Sequence, residues 1–447
     1  MEARQYGASG KEPKFMDARN DLDSRMTGAV PPGALPSERA ERLDGARLRG
    51  LIATNIGASV AFAAMYSTQP VLPQIGHDFH VDAATAGLTL LAVTFALALA
   101  SLGAGRISDH FGNRRVMLVC LVMLTALSAL AAIAPTFGLL VATRAAQGLV
   151  IPGITVSGLA YLHNDLPASW RGRVSGFYIG TNTIGGLVGR LGVGLMVDTI
   201  SWRGGLAIIA GLVALGTLIL TFGMPRSAPR AQAAAQHGTS ATPASLRVIV
   251  ARLWWAPLIG ASVFFPFLTL FTYTPYRLEG APFFLSPSNA NLFYLVYVLG
   301  AIASLAAGQI SDRVGRRATI YLGLAICAFG LALSLVNFLP MALLALALVC
   351  AGGLSSHVVA NASVSDGANP VGAGARATAL SLYTMGFYVG GGLGAYIPGF
   401  GWELWGWQGV VAPAAVAVAI ASLAALKTPA HPPKQFVSGI GPAVPPS

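Results

Sequence analysis

Gly105-Arg106-Ile107-Ser108-Asp109-His110-Phe111-Gly112-Asn113-Arg114-Arg115 returns later in the chain as Gly308-Gln309-Ile310-Ser311-Asp312-Arg313-Val314-Gly315-Arg316-Arg317. Gly308, Asp312 and Gly315 each follow Gly105, Asp109 and Gly112 by 203 residues, and Arg376 follows Arg173 by the same interval. Each copy sits between two long apolar runs. A short polar link repeated at constant register inside a hydrophobic chain points to an internally duplicated membrane protein, built as two helical bundles that face each other.

Composition agrees. The chain has 447 residues, of which 54% are hydrophobic and only 10% charged, with a mean hydropathy of +0.65; a soluble domain carries about 25% charged residues. The net charge of +11 does not point to nucleic acid, because the basic residues stand singly between apolar runs and form no stripe. Cys120, Cys327 and Cys350 all fall inside apolar runs, which suits buried free thiols and neither a disulfide nor a metal site. No cofactor is expected.

Apolar runs of about 20 residues are long enough to cross a hydrocarbon core of about 30 Å. They predict an all-α fold of twelve spans in two sets of six, near 51–74, 84–105, 115–134, 138–162, 172–196 and 204–224, then 254–276, 289–309, 317–338, 341–365, 376–398 and 406–426. The corresponding division is a disordered cytoplasmic tail over 1–50, a first bundle over 51–224, a linker over 225–253, a second bundle over 254–426 and a tail over 427–447. The N-terminal tail lacks the apolar stretch of a signal peptide.

Orientation follows from arginine, since short loops rich in Lys and Arg stay cytoplasmic. Arg106, Arg114, Arg115, Arg171, Arg173, Arg226, Arg230, Arg247, Arg252, Arg313, Arg316, Arg317 and Arg376 fall on one side; Arg203 and Arg277 fall on the other. Both termini are therefore expected in the cytoplasm, and the loop His77 to Asp82, without Lys or Arg, outside.

The doubled Gly-x-x-x-Asp-x-x-Gly-x-Arg loop resembles the signature of the major facilitator superfamily. Arg144-Ala145-Ala146-Gln147-Gly148 is similar to a pattern found in proton-coupled members, and the runs Tyr66 to Pro73, with Gln69-Pro70, and Asn182 to Arg190 resemble a bacterial inner-membrane efflux branch. The first loop departs from the pattern in having His110 and Asn113 where arginines are usual, and the fifth span lacks the Gly-Pro pair of drug antiporters. The resemblance implies alternating access by two six-helix bundles around one cavity.

In that reading Gly105, Gly112, Gly308 and Gly315 permit tight turns between helices, while Asp109 and Asp312 are placed to bond Arg173, Arg376 or nearby helix N-termini. Arg114, Arg313, Arg316 and Arg317 complete the switch. A topology signal alone explains the arginines but leaves the aspartates without a role. Arg144 and Arg190 lie inside apolar spans, where an arginine costs about 2.5–3.5 kcal/mol at the helix centre; each is expected to face a wet cavity or a partner, or else to snorkel. Asn182 shares the polar edge of the fifth helix with Arg190, and Gly185, Gly186 and Gly189 offer it a small-residue packing face. His357 is deep in a span with Asn361 one turn on, and is either a proton carrier or a neutral packing histidine. Tyr66 and Gln69 complete the candidate solute and coupling residues.

No carboxylate is evident near the middle of a span, and no phosphate-binding loop is present, which argues against ATP-driven transport by this chain. The sequence thus predicts a monomeric secondary transporter of the inner membrane, a non-enzyme whose partners are a small-molecule solute, the lipid bilayer and protons. Proton-coupled export of a small organic solute, anionic or polar, is the leading expectation. Proton-coupled uptake of an organic acid or sugar, or a sensor that keeps the fold without transport, are the alternatives.

Overall fold

The computed structural model describes residues 44–167, 170–225, 246–368, 371 and 375–428. Arg226, Arg230, nearly all of the N-terminal tail, the linker over 226–245 and the C-terminal tail from 429 onward lie outside the described residues.

Among the described residues, ten helical elements are long and apolar enough to cross a membrane. One of them, Arg171–Gly223, is 53 residues long and breaks at Ser201, whose φ of 64° and ψ of 165° leave the helical region. It therefore makes two passes, and Ala375–Trp405, a 31-residue helix long enough to rise about 46 Å, supplies the twelfth. The spans are α1 Gly45–Tyr66, α2 Ala83–Phe111, α3 Asn113–Ala132, α4 Phe137–Asp165, α5 over 171–200, α6 over 202–223, α7 Trp255–Glu279, α8 Tyr297–Val314, α9 Arg316–Leu333, α10 Leu339–Ala368, α11 Ala375–Trp405 and α12 Trp407–Ala425. Short helices Leu72–Phe79, Leu246–Leu253 and Pro287–Asn291 accompany them. The linker predicted over 225–253 is thus partly helical, and Ile249 and Leu253 bury its apolar side.

The repeated loops are one-residue turns. Gly112 has φ 86° and Gly315 φ 89°, the left-handed conformation that lets α2 pass directly into α3 and α8 into α9. Gly105 and Gly308 play no such part, since both are helical and a Cβ on either meets nothing within 4 Å.

The first predicted span, 51–74, is broken. α1 ends at Tyr66 and the chain continues as a short 3₁₀ turn, Gln69–Val71, before the helix Leu72–Phe79. Pro70 has no N–H to donate to the Tyr66 carbonyl four residues back, so the helix cannot continue, and the carbonyls of its last turn take other donors, that of Ala64 accepting the Ser67 N–H at 3.4 Å and the Ser67 hydroxyl at 2.8 Å.

Glycine sets the helix pairs. On α5 a Cβ at Gly185 or Gly189 falls 2.1 Å from the Ser59 carbonyl oxygen or 2.2 Å from that of Ala63 on α1, and on α11 Gly386 and Gly390 stand at 2.1 and 2.2 Å from those of Pro257 and Ala261 on α7. The two halves repeat one packing device, in which small residues bring backbones close enough for dispersion to hold helices together in lipid.

The halves meet through hydrogen bonds that cluster at one end. Gln69 Nε2 donates to Thr272 Oγ1 at 3.0 Å and Gln74 Nε2 to Glu279 Oε2 at 2.9 Å. Asn291 Nδ2 donates to the Pro70 carbonyl at 3.1 Å, the Ser288 N–H to Asp198 at 3.1 Å, and the Ala83 N–H to Glu403 at 3.2 Å. Gln69 and Thr272 are themselves 203 residues apart, so their bond joins the two positions that the repeat makes equivalent. Arg203, paired with Asp78 at 2.5 Å, and Arg277, bonded to the Val336 carbonyl at 3.0 Å, both stand at this sealed end, opposite the repeated turns.

Candidate functional site

A cavity of about 330 Å³ lies between the halves. From the first half, Phe62 and Tyr66 on α1 and Asn182, Thr183, Gly186 and Arg190 on α5 reach it; from the second half come Phe264 and Phe267 on α7, Tyr297 and Ser304 on α8, His357 and Asn361 on α10, and Thr384, Phe387 and Tyr388 on α11. Among the described residues, its lining contains neither Asp nor Glu.

Arg190 is the charged group of this wall and is 1% exposed. Nε donates to Gln69 Oε1 at 2.7 Å and Nη1 to the Gly186 carbonyl at 3.1 Å. The guanidinium lies 3.8 Å from the Tyr66 ring centroid and 5.4 Å from that of Tyr297, a cation–π cage in which no carboxylate takes part. Gly186 makes room for it, since a Cβ there would meet Arg190 Nη1 at 3.2 Å. Gln69 does not line the cavity; it joins Arg190 to Thr272 across the halves.

The opposite wall is aromatic. Phe264 stacks on Phe387 with centroids 3.8 Å apart, Tyr388 meets Phe264 edge-on at 6.4 Å, and the His357 ring lies 4.2 Å from Phe387. His357 Nδ1 and the Tyr383 hydroxyl are 2.9 Å apart, and that hydroxyl also donates to the His357 carbonyl at 3.2 Å. Asn361 lines the cavity one turn further on α10. Asn182 is 8% exposed, and its Oδ1 has no partner among the described residues.

Arg144 is elsewhere. Its Nη1 donates to the Ala64 carbonyl at 2.8 Å and to Gln147 Oε1 at 2.5 Å, its Nη2 to the Met65 carbonyl, and its Nε to the Thr89 carbonyl at 3.4 Å. Of the settings expected for it, a wet cavity or a partner, the structure supplies the partner: carbonyls in the last turn of α1 are the acceptors, that of Ala64 shared with the Ser67 hydroxyl, and a cation at a helix C-terminus also meets the negative end of the helix dipole. Gln147 is in turn held by Ser128 at 3.1 Å. The sequence carried part of the signal, since Pro70 ends the first helix early and the last turn of a helix offers carbonyls to a nearby cation.

The switch residues are dispersed at the other end. Among the described residues Asp109 and Asp312 form no ion pair with Arg173 or Arg376; the ion pair there joins Arg316 to Asp366 at 2.6 Å. Arg114 donates to the Met224 and Thr221 carbonyls, both at 3.0 Å, tying α3 to α6. Arg317 donates to the Thr428 carbonyl at 2.5 Å, and Arg313 is exposed.

Sequence reasoning missed the α11 contribution of Thr384, Phe387 and Tyr388. α11 is absent from the helices that length and composition mark as spans, and the low hydropathy brought by its glycines, tyrosines and tryptophans was the available signal. It also passed over Glu279, a half-buried carboxylate of α7 whose Oε1 has no partner among the described residues. No group of three or more His, Cys, Asp or Glu among the described residues could hold a metal ion.

The uncharacterized MFS-type transporter YybF of Bacillus subtilis is 28% identical over 353 residues, 78% of this chain and 86% of that one. The inner membrane transport protein YnfM of Escherichia coli is 29% identical over 371 residues, 81% and 86% of the two chains. A bacterial homologue of the human lysosomal transporter Spinster, solved in an inward-facing and unoccupied conformation, superposes with a TM-score of 0.70 at 16% identity over 87% of this chain and 98% of that one, a likeness of fold. The sequence model of the Major Facilitator Superfamily matches residues 54–287 and 280–446, nearly all of the membrane part, and with twelve helices, a doubled turn and a cavity shared by two halves, the chain belongs to that superfamily of transporters.

Proposed function

We propose that the protein is a secondary active exporter of the bacterial inner membrane that moves a small organic solute against its gradient by alternating access, driven by protons, with both termini in the cytoplasm. The observation that carries this reading is the placement of one cavity between the halves while the bonds that join the halves cluster at one end. A cavity lined by both halves changes its access when the halves rock about it. The sealed end holds Arg203 and Arg277, and the repeated turns with their arginines mark the other; the positive-inside rule assigns the turns to the cytoplasm, so the state described is inward-facing. The unmade contacts of Asp109 and Asp312 belong to the same state: they form when the seal opens and the turns close together.

Proton coupling is assigned to His357, the histidine of the cavity wall. The titratable or charged groups around it are Tyr383, to which it is bonded, and Tyr66, Arg190, Tyr297 and Tyr388 in the same cavity. Export is favoured over uptake by the resemblance of Tyr66 to Pro73 and Asn182 to Arg190 to an efflux branch.

A cysteine pair replacing Gln74 and Glu279, with the native cysteines removed, tests the core of the proposal. Oxidation is expected to lock the seal and stop solute flux in proteoliposomes, and reductant to restore it. Undiminished flux through the cross-linked protein would refute alternating access about this seal. Flux in oriented vesicles under imposed pH gradients of either sign then decides export against uptake.

A further inference from the structure

The chemistry of the cavity wall limits what it can hold. Of the three guanidinium nitrogens of Arg190, Nε and Nη1 have acceptors, Gln69 and the Gly186 carbonyl; among the described residues Nη2 has none. The side chain is 1% exposed, and among the described residues no Asp or Glu lines the cavity. A cation buried in the membrane without a counter-charge is costly, and Tyr66 beneath it brings a ring face and a neutral hydroxyl but no negative charge. The missing element is an anion that can reach Nη2.

What stands opposite is mainly aromatic, with Ser304, His357, Asn361 and Thr384 the polar members of that side. Phe264 and Phe387 are stacked with their planes 12° apart, Tyr388 stands at 88° to Phe264, and Phe267 extends the stack. Such a wall matches the face and edge of another aromatic ring better than it matches a flexible alkyl chain. The volume of about 330 Å³ lies at the small end of ligand sites, which span roughly 300–1,000 Å³. A bulky amphiphile does not fit.

We infer that the site binds a small aromatic carboxylate, with the carboxylate on Arg190 Nη2 and the ring against Phe264, Phe387 and Tyr388. This rests on the transport reading for its biological meaning but not for its chemistry. A lipophilic cation is disfavoured, because it would face Arg190 with no carboxylate to receive it.

Benzoate, benzamide, benzylamine and hexanoate are suitable probes, titrated into the purified wild-type protein while its thermal unfolding is followed. Benzoate is expected to raise the unfolding temperature in a saturable manner, with benzamide and benzylamine without effect and hexanoate weaker. Protection by benzylamine or benzamide equal to that by benzoate would overturn the anion assignment, and equal protection by hexanoate would overturn the aromatic one. Arg190→Lys keeps the charge while losing the planar fork and is expected to weaken benzoate roughly tenfold or more; unchanged affinity would place the carboxylate elsewhere. The charge series on the wild type stays decisive if the variant does not fold. Proteoliposomes separate this inference from the one beneath it. Benzoate that binds but does not cross sinks the transport reading and leaves the site standing, whereas transport of other solutes without benzoate binding sinks the site and leaves transport standing.

Discussion

Replacing Arg144 by alanine separates a structural arginine from a solute-binding one. The guanidinium donates to the carbonyls of Ala64, Met65 and Thr89 and to Gln147, so it ties the broken end of α1 to α2 and α4. The side chain is 1% exposed, and alanine admits too little water to replace it. A hydrogen bond to a charged group contributes about 1.5–3 kcal/mol, though bonds between helices in membranes average nearer 0.6 kcal/mol because other partners are found. With two well-formed backbone contacts, one long one and Gln147 lost together, a loss of roughly 3–5 kcal/mol is expected, comparable to breaking a buried charged pair. Thermal unfolding of purified Arg144→Ala should therefore start many degrees lower. Arg144→Lys should recover only part, since one ammonium cannot span carbonyls on two helices. The folded fraction should still bind solute with the parent's affinity, because Arg144 does not line the cavity. A variant with the parent's thermal stability but no solute binding would refute this account and return Arg144 to the cavity.

Gly189→Leu places a Cβ 2.2 Å from the Ala63 carbonyl oxygen; α1 and α5 must move apart, with an expected loss of about 1–3 kcal/mol or more, read as lower yield and earlier unfolding, and normal stability would mean the two helices are not held by this contact. Asp109→Asn should leave the thermal stability of the present state unchanged, because Asp109 has no ion pair with Arg173 or Arg376 here, while slowing flux about fivefold, the worth of one exposed ion pair of about 1 kcal/mol in the opposite state; flux equal to the parent's would reduce the loop to a topology signal. His357→Gln keeps a hydrogen-bonding group beside Tyr383 but cannot titrate, so proton-driven accumulation should disappear while solute exchange persists, and accumulation at the parent's level would make His357 a packing residue. Thr272→Val removes the acceptor of Gln69 and should favour the outward-open arrangement, read as faster labelling of a cysteine placed at Gln74; an unchanged rate would show that this bond does not hold the seal.

What the sequence made legible was whatever a local rule enforces. Gly112 and Gly315 could be placed because a one-residue link between helices demands positive φ, and the charges around them keep the link in water. The α5–α6 junction was expected between 196 and 204, and the structure narrows it to Ser201, where a residue at φ 64° turns the chain with no Gly or Pro to announce it. The break in the first span was harder to see for another reason. Two prolines among strongly apolar neighbours lower the mean hydropathy of a 20-residue window only slightly, so Pro70 and Pro73 did not interrupt the apolar run, although neither can donate the bond that would continue the helix. Thr384, Phe387 and Tyr388 were hidden because a cavity residue and a packing residue on a glycine-rich helix look alike until the partner helix is placed.

Arg144 and Arg190 show where sequence reasoning ends. Both are single arginines inside an apolar span, and until the end of α1 is placed nothing in their neighbourhoods ranks one above the other. Folding separates them by what each meets. Arg144 reaches carbonyls at the end of α1 and on α2 together with Gln147, so all three of its nitrogens are occupied and its charge is spent on the scaffold. Arg190 reaches a glutamine, a single carbonyl and a ring face, so one nitrogen stays available and its charge stays unanswered. The same glutamine bonds Thr272 on the opposite half, which places the cavity's cation two hydrogen bonds from the seal. A solute anion that draws Arg190 away from Gln69 frees the carbonyl oxygen of the side chain whose amide nitrogen holds the halves together. Binding and opening then share one residue, and the broken helix that sequence alone ran through as continuous is what brings that residue to the junction.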